Sequence, residues 1–581
     1  MRFVVERWPA LSYTQAMASY RLETYLKDFI RDRVVAAYRE LPDAPPRNAA
    51  AGRSRDDDFD VRLSEKQGFG DYSANLAMIE AKARGRVPRQ LAEAIAGELV
   101  SRFTQDGILG AEAAGPGFIN VTLAPARVQE ALRQVLNAGA QYGSWALGAD
   151  HRLQVEFVSS NPTGPLTVGH GRQAVLGDVL AALFARLGYN VEREYYFNDQ
   201  GRQVDLLAES LWIRYRELFG ESREIPEGGY HGDYLKEMAA VVRSVVGDGY
   251  RDWDANTLMV FRAEAVTRIS AGIREDLAAL GIRFDCFFSE VTLHDSGKVG
   301  AALDALRKHD AAYDQDGAVW LRADHIPGGK DSVLIRSDGR PTYLMVDIAY
   351  HIEKRARGFD RVVDVQGADH VVEQACVKAA LAALGVPADF LGYAVHQFVS
   401  LKEGGAAQRM STRAGRFVTL RDLVQEIGPD VVRYFMISRK PEAHLEFDLD
   451  LAKSQSLDNP ATYIQYAHTR IASLFRKAGA LGLNLESADL APLDTADDLS
   501  MIKKLDLFPE IVRTAGESFA PHLLAEYALD VARTFHAYYD RNRVLGEADA
   551  VVRARLALLA GARIVLSESL RILGMTAPEE M

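Results

Sequence analysis

The pattern of apolar positions from residue 151 onward predicts strands that alternate with amphipathic helices. Residues 153–158 form a short apolar run, which is typical of a buried strand. Residues 171–187 carry apolar side chains at helical spacing and stop at Gly188, a common residue just beyond a helix. Residues 189–197 predict a second strand. Together these elements make a βαβ unit, whose crossover we expect to be right-handed.

A second unit of the same kind follows later in the chain. Residues 361–365 predict a strand, residues 371–384 a helix and residues 393–401 the next strand. We therefore predict a Rossmann-type parallel-sheet domain over residues 151–445, with a mostly helical insertion near residues 205–300.

The segment before these units predicts a small α+β domain over residues 1–125, followed by a connecting helix and linker over residues 126–150. Its predicted elements are a helix over 22–38, a loop over 42–58, a helix over 74–83 capped by Ser73, a helix beginning at Pro88, and a turn and strand over 115–121.

The segment after residue 446 is almost entirely helical in pattern. Asn459-Pro460 opens one helix, and three more amphipathic stretches cover 500–515, 521–542 and 548–574. We predict a C-terminal helical bundle over residues 446–581. The fold class is thus a multidomain α/β protein: a Rossmann-type domain with an N-terminal α+β domain and a C-terminal α-helical bundle.

The composition fits a globular protein of several domains, with 581 residues of which 48% are hydrophobic and 25% charged. The net charge of −12 argues against indiscriminate coating of nucleic acid but allows a local basic surface. Two cysteines, Cys286 and Cys376, are too few for a disulfide framework or a four-thiolate zinc site and fit a reducing cytoplasm. No apolar run is long enough to predict a membrane span.

The first candidate site is residues 161–172, NPTGPLTVGHGR, between the first predicted strand and its helix. Ligands bind at the carboxyl edge of a parallel sheet, and a helix N-terminus there offers N–H groups to phosphate. Gly169 would let a nucleotide approach the backbone, and Thr167 and His170 could donate to phosphate oxygens. The alternative is a tight turn in which His170 only caps the helix.

The second candidate site is residues 408–415, QRMSTRAG, after the last predicted strand. Arg409, Ser411 and Arg413 could stabilise charge on the leaving group of a triphosphate. The alternative is a solvated basic surface loop.

The third candidate site is the pair Tyr343 and Asp347, which share one face if the segment is helical. A planar guanidinium favours a carboxylate and an aromatic ring nearby. The alternative makes Asp347 a surface charge paired with Lys354 or Arg355.

The fourth candidate site is residues 367–370, GADH, at the end of a second strand. Gly367 would admit adenine or ribose, and Asp369 could accept a hydrogen bond from a ribose hydroxyl. His370 could equally be structural.

The order of these motifs resembles that of the class I aminoacyl-tRNA synthetases, in which two signature motifs flank a Rossmann catalytic domain. The amino-acid sequences of the motifs resemble those of bacterial arginyl-tRNA synthetases over nearly the whole chain. The matching stretches are GDYS at 70–73, GPGFIN at 115–120, VEFVSSNPTGP at 155–165, NPATYIQYAH at 459–468 and LGMTAP at 573–578. Thr167 and Arg409 depart from the usual signatures, which have His and Lys there, and a Thr hydroxyl cannot carry an imidazolium charge.

The resemblance implies a cytoplasmic, monomeric ligase that joins L-arginine to tRNA through an arginyl-adenylate, with ATP and Mg²⁺ but no dedicated protein site for the metal. It implies no DNA partner and no membrane partner. Tyrosines and arginines of the C-terminal bundle suit unstacked RNA bases, although many of the tyrosines could be bundle core.

The resemblance also implies roles for individual residues. The implied catalytic residues are His170, Thr167, Arg409 and Ser411. The implied ATP-binding residues are Gly169, His170, Gly367, Asp369, His370, Met410 and Ser411. The implied arginine-binding residues are Glu156, Ser159, Asn161, Tyr343, Asp347 and Gln374. The implied tRNA-binding residues are Tyr463, Arg470 and Met581. Two rival functions are a class I enzyme or nucleotidyl transferase with another acyl substrate, and a tRNA-binding paralogue without activity.

Overall fold

The computed structural model describes residues 26–42, 59–64, 68–199, 201–322, 324, 329–408, 418–480 and 488–581. The predicted helix start at residue 22, nearly all of the predicted loop over 42–58, and the motif residues Arg409, Met410 and Ser411 lie outside the described residues. Within the described ranges, no helix is both long and apolar enough to cross a membrane.

The N-terminal part packs helices against an antiparallel sheet whose strand order is β1-β2-β4-β3. Its elements are α1 (Leu26–Arg39), β1 (Val61–Leu63), β2 (Tyr72–Ala74), α2 (Leu76–Glu80), α3 (Pro88–Phe103), β3 (Ile108–Ala114), β4 (Phe118–Leu123) and the following helix α4 (Pro125–Ala138). The alternation of apolar and polar residues in β4 buries Ile119 and Val121.

The predicted N-cap role of Ser73 is wrong, because Ser73 lies in β2 and pairs with Asn120 of β4. The chain enters this strand through Gly70, whose φ of +69° is left-handed. A Cβ at Gly70 would lie 2.8 Å from the carbonyl oxygen of Val121, so only glycine allows this close approach. The strand therefore extends to Ala74, and α2 is shorter than the predicted helix.

The central part begins at residue 152. Its strands are β5 (Arg152–Glu156), β6 (Asn190–Phe197), β7 (Cys286–Ser289), β8 (Ala312–Gln315), β9 (Ala318–Leu321), β10 (Ser332–Ile335), β11 (Arg361–Gly367), β12 (Leu391–His396), β13 (Val399–Glu403), β14 (Ala406–Gln408) and β15 (Leu445–Asp448). Its helices are α5 (Val168–Arg186), α6 (Arg202–Glu217), α7 (Tyr234–Val246), α8 (Ala255–Ala279), α9 (Val291–Asp295), α10 (Lys298–Lys308), α11 (Tyr343–Ala356), α12 (Val371–Ala383), α13 (Leu420–Ile427), α14 (Pro429–Ile437) and α15 (Leu449–Lys453).

A parallel five-stranded sheet with the order β12-β11-β5-β6-β7 forms the centre of this part. The chain runs from β5 through α5 to β6 on one side, and from β11 through α12 to β12 on the other. The order therefore reverses between β5 and β11, and ligands bind in open α/β sheets at the carboxyl end of such a switch point. This sheet confirms the predicted Rossmann-type fold.

The predicted single strand over 393–401 is wrong, because two strands of different sheets share it. β12 belongs to the parallel sheet, whereas β13 pairs with β14 and β15 in a separate sheet. The break lies at Gln397, whose N–H donates to the carbonyl of Pro441 instead of a strand partner. The sequence has only the polar pair His396-Gln397 at this point and no glycine or proline to mark the change of partner.

The C-terminal part is a helical bundle of α16 (Pro460–Ala480), α17 (Ala496–Asp506), α18 (Phe508–Glu517), α19 (His522–Arg541) and α20 (Asp549–Ile572). The predicted helix over 500–515 is two helices, because Pro509 lies in the first turn of α18, where its missing N–H costs nothing. The bundle also holds the N-terminal part: Asp506 accepts a 2.7 Å hydrogen bond from the backbone N–H of Leu26.

Candidate active site

The turn after β5 has a strained backbone. Val158 and Ser159 have φ values of 67° and 38°, a left-handed conformation that is rare for side chains of their kind. This turn brings the Ser159 hydroxyl to Glu156, to which it donates at 2.8 Å, while it accepts from the N–H of Tyr196 at 3.1 Å. Asn161, further along the loop, donates to Gln203 at 2.7 Å. Strain of this kind is concentrated at functional sites.

The helix α5 begins three residues earlier than predicted and includes Gly169 and His170 in its first turn. The N–H of Thr167, the N-cap residue, donates to Nδ1 of His170 at 3.0 Å. Because Nδ1 accepts this bond, the neutral ring carries its proton on Nε2. Burial, with His396 nearby, lowers the pKa of His170 to about 4, so the ring is neutral at physiological pH. The predicted capping role of His170 therefore applies to Nδ1, which accepts from the N-cap residue. Nε2–H is not used in this cap and can donate to a ligand.

The segment that follows the second candidate site returns to the first. Thr419 forms an isolated antiparallel bridge with Thr167, and the N–H of Leu420 donates to the carbonyl of Leu166 at 2.8 Å. The roles of Arg409, Met410 and Ser411 stay predictions, as does the choice between a phosphate-binding loop and a solvated surface loop.

The carboxyl end of β11 carries the fourth candidate site. Gly367 is the last residue of the strand, and a Cβ there would collide with the Asp369 carboxylate. Asp369 and His370 are exposed, and Nδ1 of His370 lies 3.3 Å from Glu373. Gln173 of α5 donates to the carbonyl of Val365 at 2.6 Å, which links α5 to the end of this strand.

The helix α11 presents Tyr343 and Asp347 one turn apart. Tyr343 is 63% exposed, whereas burial raises the pKa of the Asp347 carboxyl to about 7. The predicted alternative, in which Lys354 or Arg355 neutralises Asp347, is wrong: across the described ranges Asp347 forms no ion pair with a basic side chain, and Lys354 pairs with Glu156 and Asp364. Asp347 is only partly buried, and a carboxylate in such a place without a cation suits a cationic ligand.

Gln374 of α12 is buried and donates to the side chain of Gln366 at 2.9 Å. This bond holds its amide beside the end of β11.

A buried ionic network joins α11 to β5 and β11. Lys354 has no exposed surface, and its ammonium donates to Glu156 at 2.5 Å and to Asp364 at 2.8 Å. His351 lies 2.7 Å from the other oxygen of Asp364 and 2.8 Å from the carbonyl of Asp347. Although burial opposes ionisation, Lys354 and His351 lower the pKa of Asp364 to about 2.

Sequence reasoning missed the roles of His351, Lys354 and Asp364. The available signal was the spacing of Asp347, His351 and Lys354, which places all three on one stripe of a helix. Arg172, at the end of the first motif, was also missed. It is buried and donates to the carbonyls of Gln397, Lys440 and Ala443, so it anchors α5 to the break after β12.

Glu192, Glu194 and Cys286 place potential metal ligands within 4.8 Å of one another. Arg357 binds both oxygens of Glu194, at 2.5 and 2.8 Å. Burial raises the pKa of the Cys286 thiol to about 12, and Glu194 adds to this effect. Arg357 therefore neutralises Glu194, and Arg152 pairs with Glu192 at 3.4 Å. A thiol, in addition, does not suit a hard ion such as Mg²⁺.

Two of the three predicted tRNA-binding residues, Tyr463 and Arg470, lie two turns apart on α16 and both contact α19, whereas Met581 lies beside the start of α16. The ring of Tyr463 packs edge-on against His536 at 4.7 Å between centroids. The guanidinium of Arg470 lies 4.3 Å from the centre of the Tyr539 ring. Met581 is 66% exposed and lines a cavity of about 340 Å³ with Asn459 and Thr462. Their roles toward RNA stay predictions.

Family models match three segments that together cover most of the chain. The arginyl tRNA synthetase N terminal domain matches residues 26–123, the catalytic domain of tRNA synthetases class I (R) matches 131–440, and the DALR anticodon binding domain matches 464–581.

Curated relatives and a solved structure agree with these models. The arginine–tRNA ligase of Thermotoga petrophila is 42% identical over 527 residues, covering 90% of this chain and 96% of that protein. That of Salinibacter ruber is 40% identical, covering 96% and 100%. The structure of Thermus thermophilus arginyl-tRNA synthetase superposes with a TM-score of 0.74 at 23% identity, covering 96% and 100%, and supports the fold alone. The chain therefore belongs to the arginine–tRNA ligase family of class I aminoacyl-tRNA synthetases.

Proposed function

We propose that the protein ligates L-arginine to its cognate tRNA in two steps, through an arginyl-adenylate formed from ATP. One observation carries the assignment of the site. A helix N-terminus with a neutral His170 donor and a partly buried Asp347, which has no cationic partner among the described residues, are both linked to the carboxyl half of β11. Such an edge suits a phosphate beside a guanidinium.

In the first step, the arginine carboxylate attacks the α-phosphate of ATP and pyrophosphate leaves. No side chain acts as a nucleophile, so catalysis depends on positioning and on stabilising the charge of the transferring group. Nε2–H of His170 and the N-terminal N–H groups of α5 donate to phosphate oxygens. Because His170 is neutral, Arg409 supplies the positive charge, and the hydroxyl of Ser411 donates a hydrogen bond to a phosphate oxygen. Gly367 and Asp369 hold the adenosine.

Recognition of arginine divides between two carboxylates. Asp347 binds the guanidinium beside Tyr343 and Gln374, and Glu156 binds the α-amino group, with Asn161 at the carboxylate end. Lysine is rejected because its ammonium cannot form the two-pronged bond to Asp347. One lost charged hydrogen bond is worth roughly 1.5–3 kcal/mol, which corresponds to about ten- to a hundredfold in rate.

In the second step, the terminal 2′-hydroxyl of tRNA attacks the carbonyl of the adenylate, and AMP leaves. Tyr463, Arg470 and Met581 contact the anticodon loop in this proposal. Activation of arginine waits for bound tRNA, as family membership implies. Mg²⁺ accompanies ATP and neutralises phosphate charge, held by phosphates and water, because the carboxylates at the sheet edge already have other assigned partners. We further propose a cytoplasmic monomer with neither DNA nor membrane partners.

A charging assay with pure tRNA, ATP and each amino acid in turn tests the function. We expect arginine alone to be esterified, and attachment of another amino acid would contradict the assignment. Asp347→Ala should abolish arginine activation and change ATP affinity by less than about twofold, since Asp347 contacts only the guanidinium. Asp360→Ala is the matched control: that carboxylate accepts from the N–H of Arg152 at the opposite edge of the sheet and should leave activity nearly unchanged.

A further inference from the structure

One face of α11 carries Asp347, His351 and Lys354 on successive turns, and this face points at β5 and β11. Asp364 of β11 receives hydrogen bonds from both Lys354 and His351. In the sheet, Asp364 lies directly opposite Glu156 of β5. The two strands therefore place the buried carboxylate of Asp364 next to the partly buried carboxylate of Glu156.

Adjacent buried carboxylates repel, and one of them takes up a proton unless a cation separates them. Lys354 is that cation, because its ammonium bridges Glu156 and Asp364. Burial raises the pKa of Glu156, and Lys354 is the strongest influence that opposes this rise. The ammonium that Lys354 places beside Glu156 therefore favours the ionised carboxylate against the effect of burial. Because Lys354 has no exposed surface, it does not touch a ligand itself, and Glu156 is the more exposed of its two carboxylate partners.

Glu156 is held from its other side as well. Its second oxygen accepts from the hydroxyl of Ser159, which the strained turn after β5 directs back at the strand end. Ser159 in turn accepts from the N–H of Tyr196 on β6. Glu156 is thus fixed by α11 on one side and by the turn and β6 on the other.

We propose that Lys354 and Ser159 form a clamp that positions the Glu156 carboxylate for the α-ammonium group of arginine. Both are positioning residues, and this inference rests on the proposed function because it concerns the same substrate. The clamp serves the α-amino end alone. At the guanidinium end, His351 ties the backbone of Asp347 to one oxygen of Asp364. Lys354 reaches this end only indirectly, through the other oxygen of Asp364.

Two arginine analogues separate the two ends of the substrate. Agmatine keeps the amino group and the guanidinium, whereas 5-guanidinopentanoate keeps the guanidinium and lacks the amino group. In tRNA-dependent ATP–pyrophosphate exchange, Lys354→Met should raise KM for arginine and Ki for agmatine by about tenfold or more. Ki for 5-guanidinopentanoate and KM for ATP should change by less than about twofold, because neither ligand reaches Glu156.

Glu353→Gln is the matched control on the same helix. Glu353 precedes Lys354 but pairs with Lys298 of α10 at 2.7 Å. Its loss should leave all four constants within about twofold. Equal weakening of both analogues by Lys354→Met, or a fall in kcat at unchanged KM, would overturn the proposal, because either result describes general damage to the fold or to the chemistry.

Ser159→Ala provides a second test that does not remove a buried charge. It should show the same selective pattern as Lys354→Met at about threefold, and it decides the question if Lys354→Met does not fold by circular dichroism. Uniform or absent effects of Ser159→Ala would then refute the clamp. The unaltered protein is assayed first: failure to activate arginine would refute the proposed function itself, whereas activity with unselective variants would refute the clamp alone.

Discussion

The backbone N–H of Thr167 donates to Nδ1 of His170 across 3.0 Å, and this bond assigns the ring proton to Nε2. The donor is a backbone N–H, so the bond does not depend on the side chain at position 167. Thr is also a favoured residue at the N-cap position that residue 167 occupies. The departure from the usual first histidine of the motif therefore leaves the orientation of His170 intact.

We expect His170→Ala to reduce arginyl-adenylate formation by about a hundredfold or more, the cost of losing one preorganised donor. The dissociation constant for tRNA, measured by filter binding, should change by less than about threefold. His151→Ala is the control, since His151 lies before β5, at the opposite edge of the sheet, near Asp360. Equal loss of tRNA binding and of adenylate formation in His170→Ala would contradict the phosphate role.

Arginine affinity should depend on pH through Asp347, whose pKa burial raises to about 7. The guanidinium binds the ionised carboxylate, so protonation competes with the substrate. KM for arginine should rise as pH falls below about 7, approaching tenfold per pH unit, while KM for ATP stays nearly constant. Asp347→Asn should bind arginine weakly without this dependence. A flat KM for arginine between pH 6 and 8 would refute it.

The stability of the folded protein should fall with rising pH through Asp506, which joins α1 to the bundle. Burial raises the pKa of Asp506 to about 8, so the folded protein retains a proton that the unfolded chain has lost above about pH 4. This contribution to stability is present below about pH 4 and declines by at most about 1.4 kcal/mol per pH unit up to about pH 8. Asp506→Asn should remove the decline, as measured by thermal unfolding from pH 5 to 9. Parallel curves for the two proteins would argue against it.

The βαβ units could be predicted from sequence because each depends on local periodicity. The apolar stripe of α5 and the glycine at its end predict that helix well. The partners of Lys354 could not be predicted, because Glu156 and Asp364 are far from each other in sequence. They become neighbours only through the pairing of β5 with β11. The helical spacing shows that Asp347 and Lys354 share a face. That spacing alone suggests an ion pair between Asp347 and Lys354, which the structure does not contain.

Corrections elsewhere have the same cause. Ser73 resembles an N-cap, but pairing with Asn120 places it in a strand. Residues 393–401 contain no glycine or proline, yet their two halves pair with different strands. Local residue preferences were overridden in both places by partners far along the chain.

Arg433 should be a major contributor to stability. Its guanidinium is 1% exposed and donates to the carbonyls of Leu280 and Leu573 and to the carboxylate of Asp178. Arg433→Ala leaves these acceptors without a buried donor and should cost about 3–5 kcal/mol in urea unfolding. Arg307→Ala, which removes an exposed pair with Asp314, should cost less than about 1 kcal/mol. Similar losses in the two variants would contradict this ranking.

The same three bonds of Arg433 join the end of α20, the end of α8 and the middle of α5. His170 lies in the first turn of α5. If the bundle rotated away from α5, the buried Arg433 guanidinium would lose a hydrogen-bond acceptor, and no water could replace that acceptor. Arg433 consequently connects the helical bundle to the helix that would hold ATP. A movement of the bundle on binding tRNA would therefore be transmitted to α5 through this one side chain.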